Sequence, residues 1–147
     1  MKDFTITHLV NQSPKEIFNT ILDVRGWWSG LHAEEITGTT DKLNSEFTFL
    51  AGGGAHYSKQ KLIEAIPGEK IVWLVTDSKL TFLDNEEEWI GTKICFDISA
   101  QGDKTQVRFT HLGLVPSIEC YNECSRAWSQ YLKKFLSPLF LENSYTK

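Results

Sequence analysis

Near the C-terminus, Tyr121, Cys124, Trp128, Leu132, Phe135 and Leu139 recur every three or four residues. That spacing puts them on one side of an α-helix of about six turns. An apolar stripe of that length must lie on something apolar, and this constrains the fold more than any other feature. Ser117 follows Pro116 and suits an N-cap, with Glu119 in the first turn, where a negative charge favours the helix dipole.

The partner for such a helix is read upstream. Residues 3–10 alternate, with Phe4, Ile6 and His8 on one side, and predict a first strand. Ser13, Pro14 and Glu16 form a capping box with proline at the first helical position, and Ile17, Phe18, Ile21 and Leu22 give that helix one apolar face. Trp27, Trp28 and Leu31 suggest a second short helix. The period then changes to two. Strands are expected over 33–40, 45–51, 56–66, 70–77, 91–100 and 104–111, separated by turn signals such as Gly52-Gly53-Gly54, Pro67-Gly68 and Gly102-Asp103. The expected fold class is α+β: a seven-stranded, mostly antiparallel sheet curved around the long C-terminal helix, in a single domain over residues 1–147. A curved sheet gripping a helix leaves a gap, and that gap is the candidate cavity.

Composition excludes several classes. The net charge is −4 and no Lys/Arg run occurs, so a nucleic-acid partner is not expected. The apolar run Ile71–Val75 is too short for a membrane span. No signal peptide is read at the start, and three Cys is too few for a disulfide scaffold. These features point to a cytoplasmic protein with reduced thiols.

The segments SPKEIFNTI (13–21), Gly26-Trp27-Trp28, HYSKQKLIEAIPGEKIVWLVTD (56–77), EWIGTKICFDI (88–98) and THLGLVPSIECYNECSRAWSQYL (110–132) resemble the SRPBCC, or START-like, superfamily. They are similar in particular to a bacterial branch related to the C-terminal domain of the heat-shock-90 ATPase activator. The resemblance implies the helix-grip fold. It spans lipid carriers, cyclase/aromatases and co-chaperone domains, so fold alone does not set the activity.

Cys120, Cys124 and His111 could supply soft ligands, but structural zinc wants four and no second Cys pair is available, so no metal or cofactor is expected. Cys124 falls in the helix stripe, where free Cys acts as a small hydrophobe. Cys120 near a helix start could pair with His111 as a nucleophile, yet no third group orients the histidine. Glu86-Glu87-Glu88 reads as a solvated loop, and His56-Tyr57 as an exposed hairpin end next to a cavity mouth.

The leading expectation is a pocket for a small hydrophobic or aromatic molecule. Phe49, Trp73, Phe96, Phe109, Cys124 and Trp128 would wall it. His111 would orient the ligand, with Tyr57 or Tyr131 adding a polar contact. Trp27, Trp28 and the 77–90 loop with Trp89 would control entry. The alternatives are a cyclase/aromatase-like or hydrolytic enzyme using His111, and a chaperone-interaction module. The sequence leaves a homodimer open.

Overall fold

The computed structural model describes residues 3–144. The elements in chain order are β1 (Phe4–Val10), α1 (Pro14–Leu22), α2 (Val24–Trp27), β2 (Glu35–Gly38), β3 (Glu46–Ala51), a 3-10 turn (Gly52–Gly54), β4 (His56–Ile66), β5 (Lys70–Leu80), β6 (Lys93–Gln101), β7 (Lys104–Leu112) and α3 (Tyr121–Ser144). The strands form one sheet ordered β1-β7-β6-β5-β4-β3-β2, each neighbour antiparallel. The sheet is curved and open, and its inner face holds the core against the helices, as expected. No helix among the described residues is long and apolar enough to cross a membrane.

Local chemistry explains the element ends. Ser13 Oγ accepts from the Glu16 N–H, and Glu16 Oε1 accepts from the Ser13 N–H, so the capping box closes in both directions. Alternation sets the inner face of β6 and β7: Ile94, Phe96, Ile98, Val107, Phe109 and His111 are all buried. In β4 and β5 the alternation breaks twice. Register shifts fall between Lys59 and Gln60 and between Leu62 and Glu64. The first moves the buried set of β5 from Ile71, Trp73 and Val75 to Ser78 and Leu80. The strand therefore runs on to Leu80, three residues beyond the sequence expectation.

The long helix begins at Tyr121, not just after Ser117. Its N-terminal turn is capped from another part of the chain. Glu88, in the 81–92 loop, accepts from the N–H groups of Glu119 (2.8 Å) and Cys120 (2.9 Å) through its two carboxylate oxygens. Glu119 returns the arrangement, accepting from the N–H groups of Asp84 and Asn85 (3.0 and 3.2 Å). Each carboxylate satisfies backbone donors that the other segment leaves open. Glu88 is thus not a plain solvated charge. The loop is built of turns and buries Leu83 and Trp89 in the core.

Cys120 and Cys124 are joined as a disulfide across the start of α3, with Cα atoms 5.5 Å apart. This corrects the expectation of three reduced thiols. Cys95 is free and buried, and burial, reinforced by Asp97, pushes its thiol up to about 11, far from a reactive thiolate.

Replacing Glu88 with Ala removes acceptors at the start of α3. The expected cost is about 1–2 kcal/mol, the scale of a lost helix cap, read as a lower urea midpoint with unchanged slope. An unchanged midpoint would show that the cap contributes nothing.

Candidate functional site

A cavity of about 460 Å³ opens between the inner sheet face and α3. The helix contributes Glu123, Cys124, Ala127, Trp128 and Tyr131. Facing them are Phe49 and Ala51 of β3, Gly52, and Ala55 and His56 at the start of β4. Trp28 and His32 close one side, Phe82 and Trp89 of the 81–92 loop the other. The space arises where α3 presents Ala127 and the end of β3 with the turn into β4 presents Ala51, Gly52 and Ala55, all too small to fill it. Gly52, Gly53 and Gly54 all take positive φ (62°, 68° and 99°), a turn that side-chain-bearing residues adopt only with strain. That turn carries the rim from β3 into β4, and the Gly52 N–H donates to the His32 carbonyl at 3.0 Å.

The walls are aromatic. Trp28 stacks on Phe49 with ring centroids 3.8 Å apart and leans on Trp128 at 4.9 Å. Trp128 in turn lies parallel to Trp89 at 6.0 Å. Phe82 is 48% exposed and stands at the mouth. Among the described residues no Lys or Arg lines the cavity, and the one carboxylate that does, Glu123, forms an exposed pair with Arg126.

Of the residues expected from sequence, Trp28, Phe49, Trp89, Cys124, Trp128 and Tyr131 line this space. Trp27, Trp73, Phe96 and Phe109 lie in the core, outside the cavity wall. Trp27 is held there by its own N–H, which donates to the Ile21 carbonyl at 2.8 Å, and by rings of Phe96 and Phe135 against its faces and edge. Tyr57 falls outside too. It shares the outer parity of β4 with Lys59 and Lys61, while His56, Ser58 and Gln60 point inward. Tyr131 lines the cavity, but its hydroxyl is committed: it donates to Glu34 Oε2 at 2.5 Å. Glu34 also accepts from the N–H groups of Leu31 and His32. Burial works against its charge, but these donors outweigh it and hold the carboxyl below its ordinary range.

His111 corrects the sequence expectation most directly. It is fully buried and does not line the cavity. Its Nδ1 accepts from the Trp128 indole N–H at 3.0 Å, which places the ring proton on Nε2. Nε2 donates to Thr92 Oγ1 at 2.8 Å, and the Thr92 hydroxyl donates to the Trp89 carbonyl at 2.6 Å. Both ring nitrogens are used inside the protein, so neither can anchor a ligand or take a substrate proton.

His56 is the residue the sequence reading undervalued. Far from being an exposed hairpin end, it lines the cavity, its Nε2 atom is buried, and that atom has no hydrogen-bond partner. The same holds for the Trp89 indole Nε1. The two rings meet edge to face at 4.7 Å. Burial, with His32 adding to it, lowers the His56 imidazole to about 4, so it is neutral near pH 7. Its signal in the sequence was parity: it lies two residues before Ser58 and four before Gln60, on the inner face.

Among the described residues no cluster of three His, Cys, Asp or Glu side chains could hold a metal ion.

Burial, and secondarily His56, lowers His111 to about 3. The unfolded chain protonates it near its ordinary 6.5. Between these values the unfolded state binds more protons, so the stability this histidine confers is complete above pH 6.5 and is lost as pH falls toward 3. In His111→Gln, the amide keeps one acceptor and one donor but does not titrate. Its stability should fall less steeply with acid, by about 1.4 kcal/mol per pH unit between about pH 6 and pH 4. Urea unfolding across that range checks this, and identical slopes would mean His111 titrates normally in the fold.

No protein-family model and no curated protein matches the sequence. Solved structures do match. The Aha1 dimer from Colwellia psychrerythraea superposes with TM-score 0.72 at 23% identity, covering 95% of this chain and 97% of that one. Protein CV1439 from Chromobacterium violaceum gives 0.68 at 14%, covering 95% and 98%. PFC0360w, an HSP90 activator from Plasmodium falciparum, gives 0.59 at 20%, covering 97% and 93%. At these identities the likeness is one of fold, and it shows that this chain has the helix-grip fold shared with the Aha1-like proteins.

Proposed function

We propose that the protein binds a small, uncharged, aromatic or otherwise planar apolar molecule between the sheet and α3. The observation that carries this reading is the cavity itself. Its 460 Å³ lies within the range of small-molecule sites, and its wall is aromatic with few polar atoms. A domain of this size could fill such a gap with larger side chains, yet Ala51, Gly52, Ala55 and Ala127 leave it open. The enzymatic reading through His111 loses support, because that imidazole is spent on Trp128 and Thr92. The chaperone reading rests on fold likeness to a protein described as an HSP90 activator, and fold does not carry a partner across.

The test uses N-phenyl-1-naphthylamine, a neutral aromatic dye that fluoresces when it leaves water. The wild-type protein is expected to bind it saturably, with one dye per chain. Ala127→Trp places an indole in the cavity and should weaken binding about tenfold or more, with the melting transition still cooperative. Unchanged dye affinity in a folded Ala127→Trp protein would remove the cavity as the site.

A further inference from the structure

Cys124 stands in the cavity wall, one helical turn after Cys120, and the two are bonded. The bond closes a sequence separation of only four. Cross-linking so short a span removes little freedom from the unfolded chain, so as a staple it sits near the low end of what disulfides contribute. Its position says more. Cys120 is fully buried in the core, and its N–H donates to Glu88, which holds the 81–92 loop against the start of α3. Cys124 borders the open space. The Cys124 N–H also donates to the Cys120 carbonyl at 2.8 Å. That backbone bond does not depend on the sulfurs, so it keeps two thiols within reach of each other after reduction and lets them rejoin.

We propose that Cys120 and Cys124 are a thiol–disulfide switch on the cavity: the disulfide form keeps the space open for the ligand, and the dithiol form gives part of it up to the Cys124 thiol. This rests on the cavity-binding reading above and adds its regulation. Reduction replaces a covalent bond with a van der Waals contact and adds two hydrogens, so the pair needs more room. Close packing around Cys120 offers none, whereas Cys124 has the cavity beside it. The reductant is a thiol of low molecular weight or a dithiol protein. Its thiolate attacks one sulfur of the pair, the S–S bond breaks, and the other cysteine leaves as a thiolate that takes up a proton. A second thiolate of the reductant then displaces the first cysteine from the mixed disulfide. Two electrons and two protons pass to the protein, and the reductant leaves as its own disulfide. Cys95 takes no part: it alternates with the inward-facing Ile94 and Phe96 of β6, on the sheet face away from the cavity.

The probe is again N-phenyl-1-naphthylamine. Thiol titration of the denatured chain should find one thiol in air-oxidised protein and three after dithiothreitol. The reduced form should bind the dye about fivefold or more weakly, while still melting cooperatively, and oxidised glutathione should restore the affinity. By linkage, saturating dye should raise by the same factor the ratio of reduced to oxidised dithiothreitol that opens half of the bonds. Cys120→Ala, which cannot form the bond, should bind the dye equally with and without reductant. Equal affinity in oxidised and reduced wild type overturns the switch and leaves the cavity reading standing. Three thiols before any reductant overturn it as well, as does a reductant effect that persists in Cys120→Ala. A reduced protein that no longer melts cooperatively makes the bond a staple of the fold and not a switch. If the dye binds neither form, the cavity reading falls and the switch falls with it.

Discussion

The structure turns on the hydrogen bond from the Trp128 indole to His111 Nδ1. Trp128 lies in the middle of the apolar stripe of α3, and seating it against the sheet buries nearly the whole ring. The apolar surface of an indole favours that burial by several kcal/mol. Its N–H opposes it, because an unpaired buried donor costs about 1–3 kcal/mol. A histidine at the end of β7 resolves the conflict by accepting the bond. It must then place its own proton on Nε2, and Thr92 and the Trp89 carbonyl receive that donor and the next. One bond therefore ties the helix, the sheet and the 81–92 loop together, and fixes the tautomer and neutrality of a fully buried ring.

The position of the cavity follows from how α3 is held. Glu88 caps the start of the helix from the loop, Glu119 caps the loop from the segment just before the helix, and Tyr131 ties α3 to Glu34. Between these ties the helix faces Ala51, Gly52 and Ala55 with its own Ala127, so it is fixed at a distance its small residues cannot close. Farther along, Leu132 and Leu136 are buried and Phe135 stacks on Trp27, and the core is filled. The walls belong to four segments, residues 28–32, 49–56, the 81–92 loop and α3, which leaves a pocket without requiring any one of them to be soft.

Much of this was legible in the sequence. The 3.6-residue period of α3, the two-residue period of the strands and the capping box at Ser13 are local signals, and each predicted its element. The sheet parity of β6 and β7 placed Phe96, Phe109 and His111 on the inner face. What periodicity could not supply was depth. Trp73, Phe96 and Phe109 face inward as expected, but lie in core that is filled, whereas the open space is over small residues that carry no pattern. The role of Glu88 was equally hidden, because its partners lie more than thirty residues away in sequence. The disulfide was concealed by the same helical spacing that made Cys124 look like an ordinary stripe residue.

His111 and His56 both meet the Trp89 ring edge to face, with centroids at 4.6 and 4.7 Å, and both are kept neutral by burial. Composition, parity and electrostatics describe them alike. Hydrogen bonding separates them. A buried ring with both nitrogens paired has its orientation and proton fixed by the fold, and serves the fold. His56 stands in the cavity wall and its Nε2 has no partner in the protein, so the fold does not use this ring to tie elements together as it uses His111. The same residue type in the same aromatic layer thus sits in two different settings, and the difference lies in which polar atoms the chain itself has satisfied.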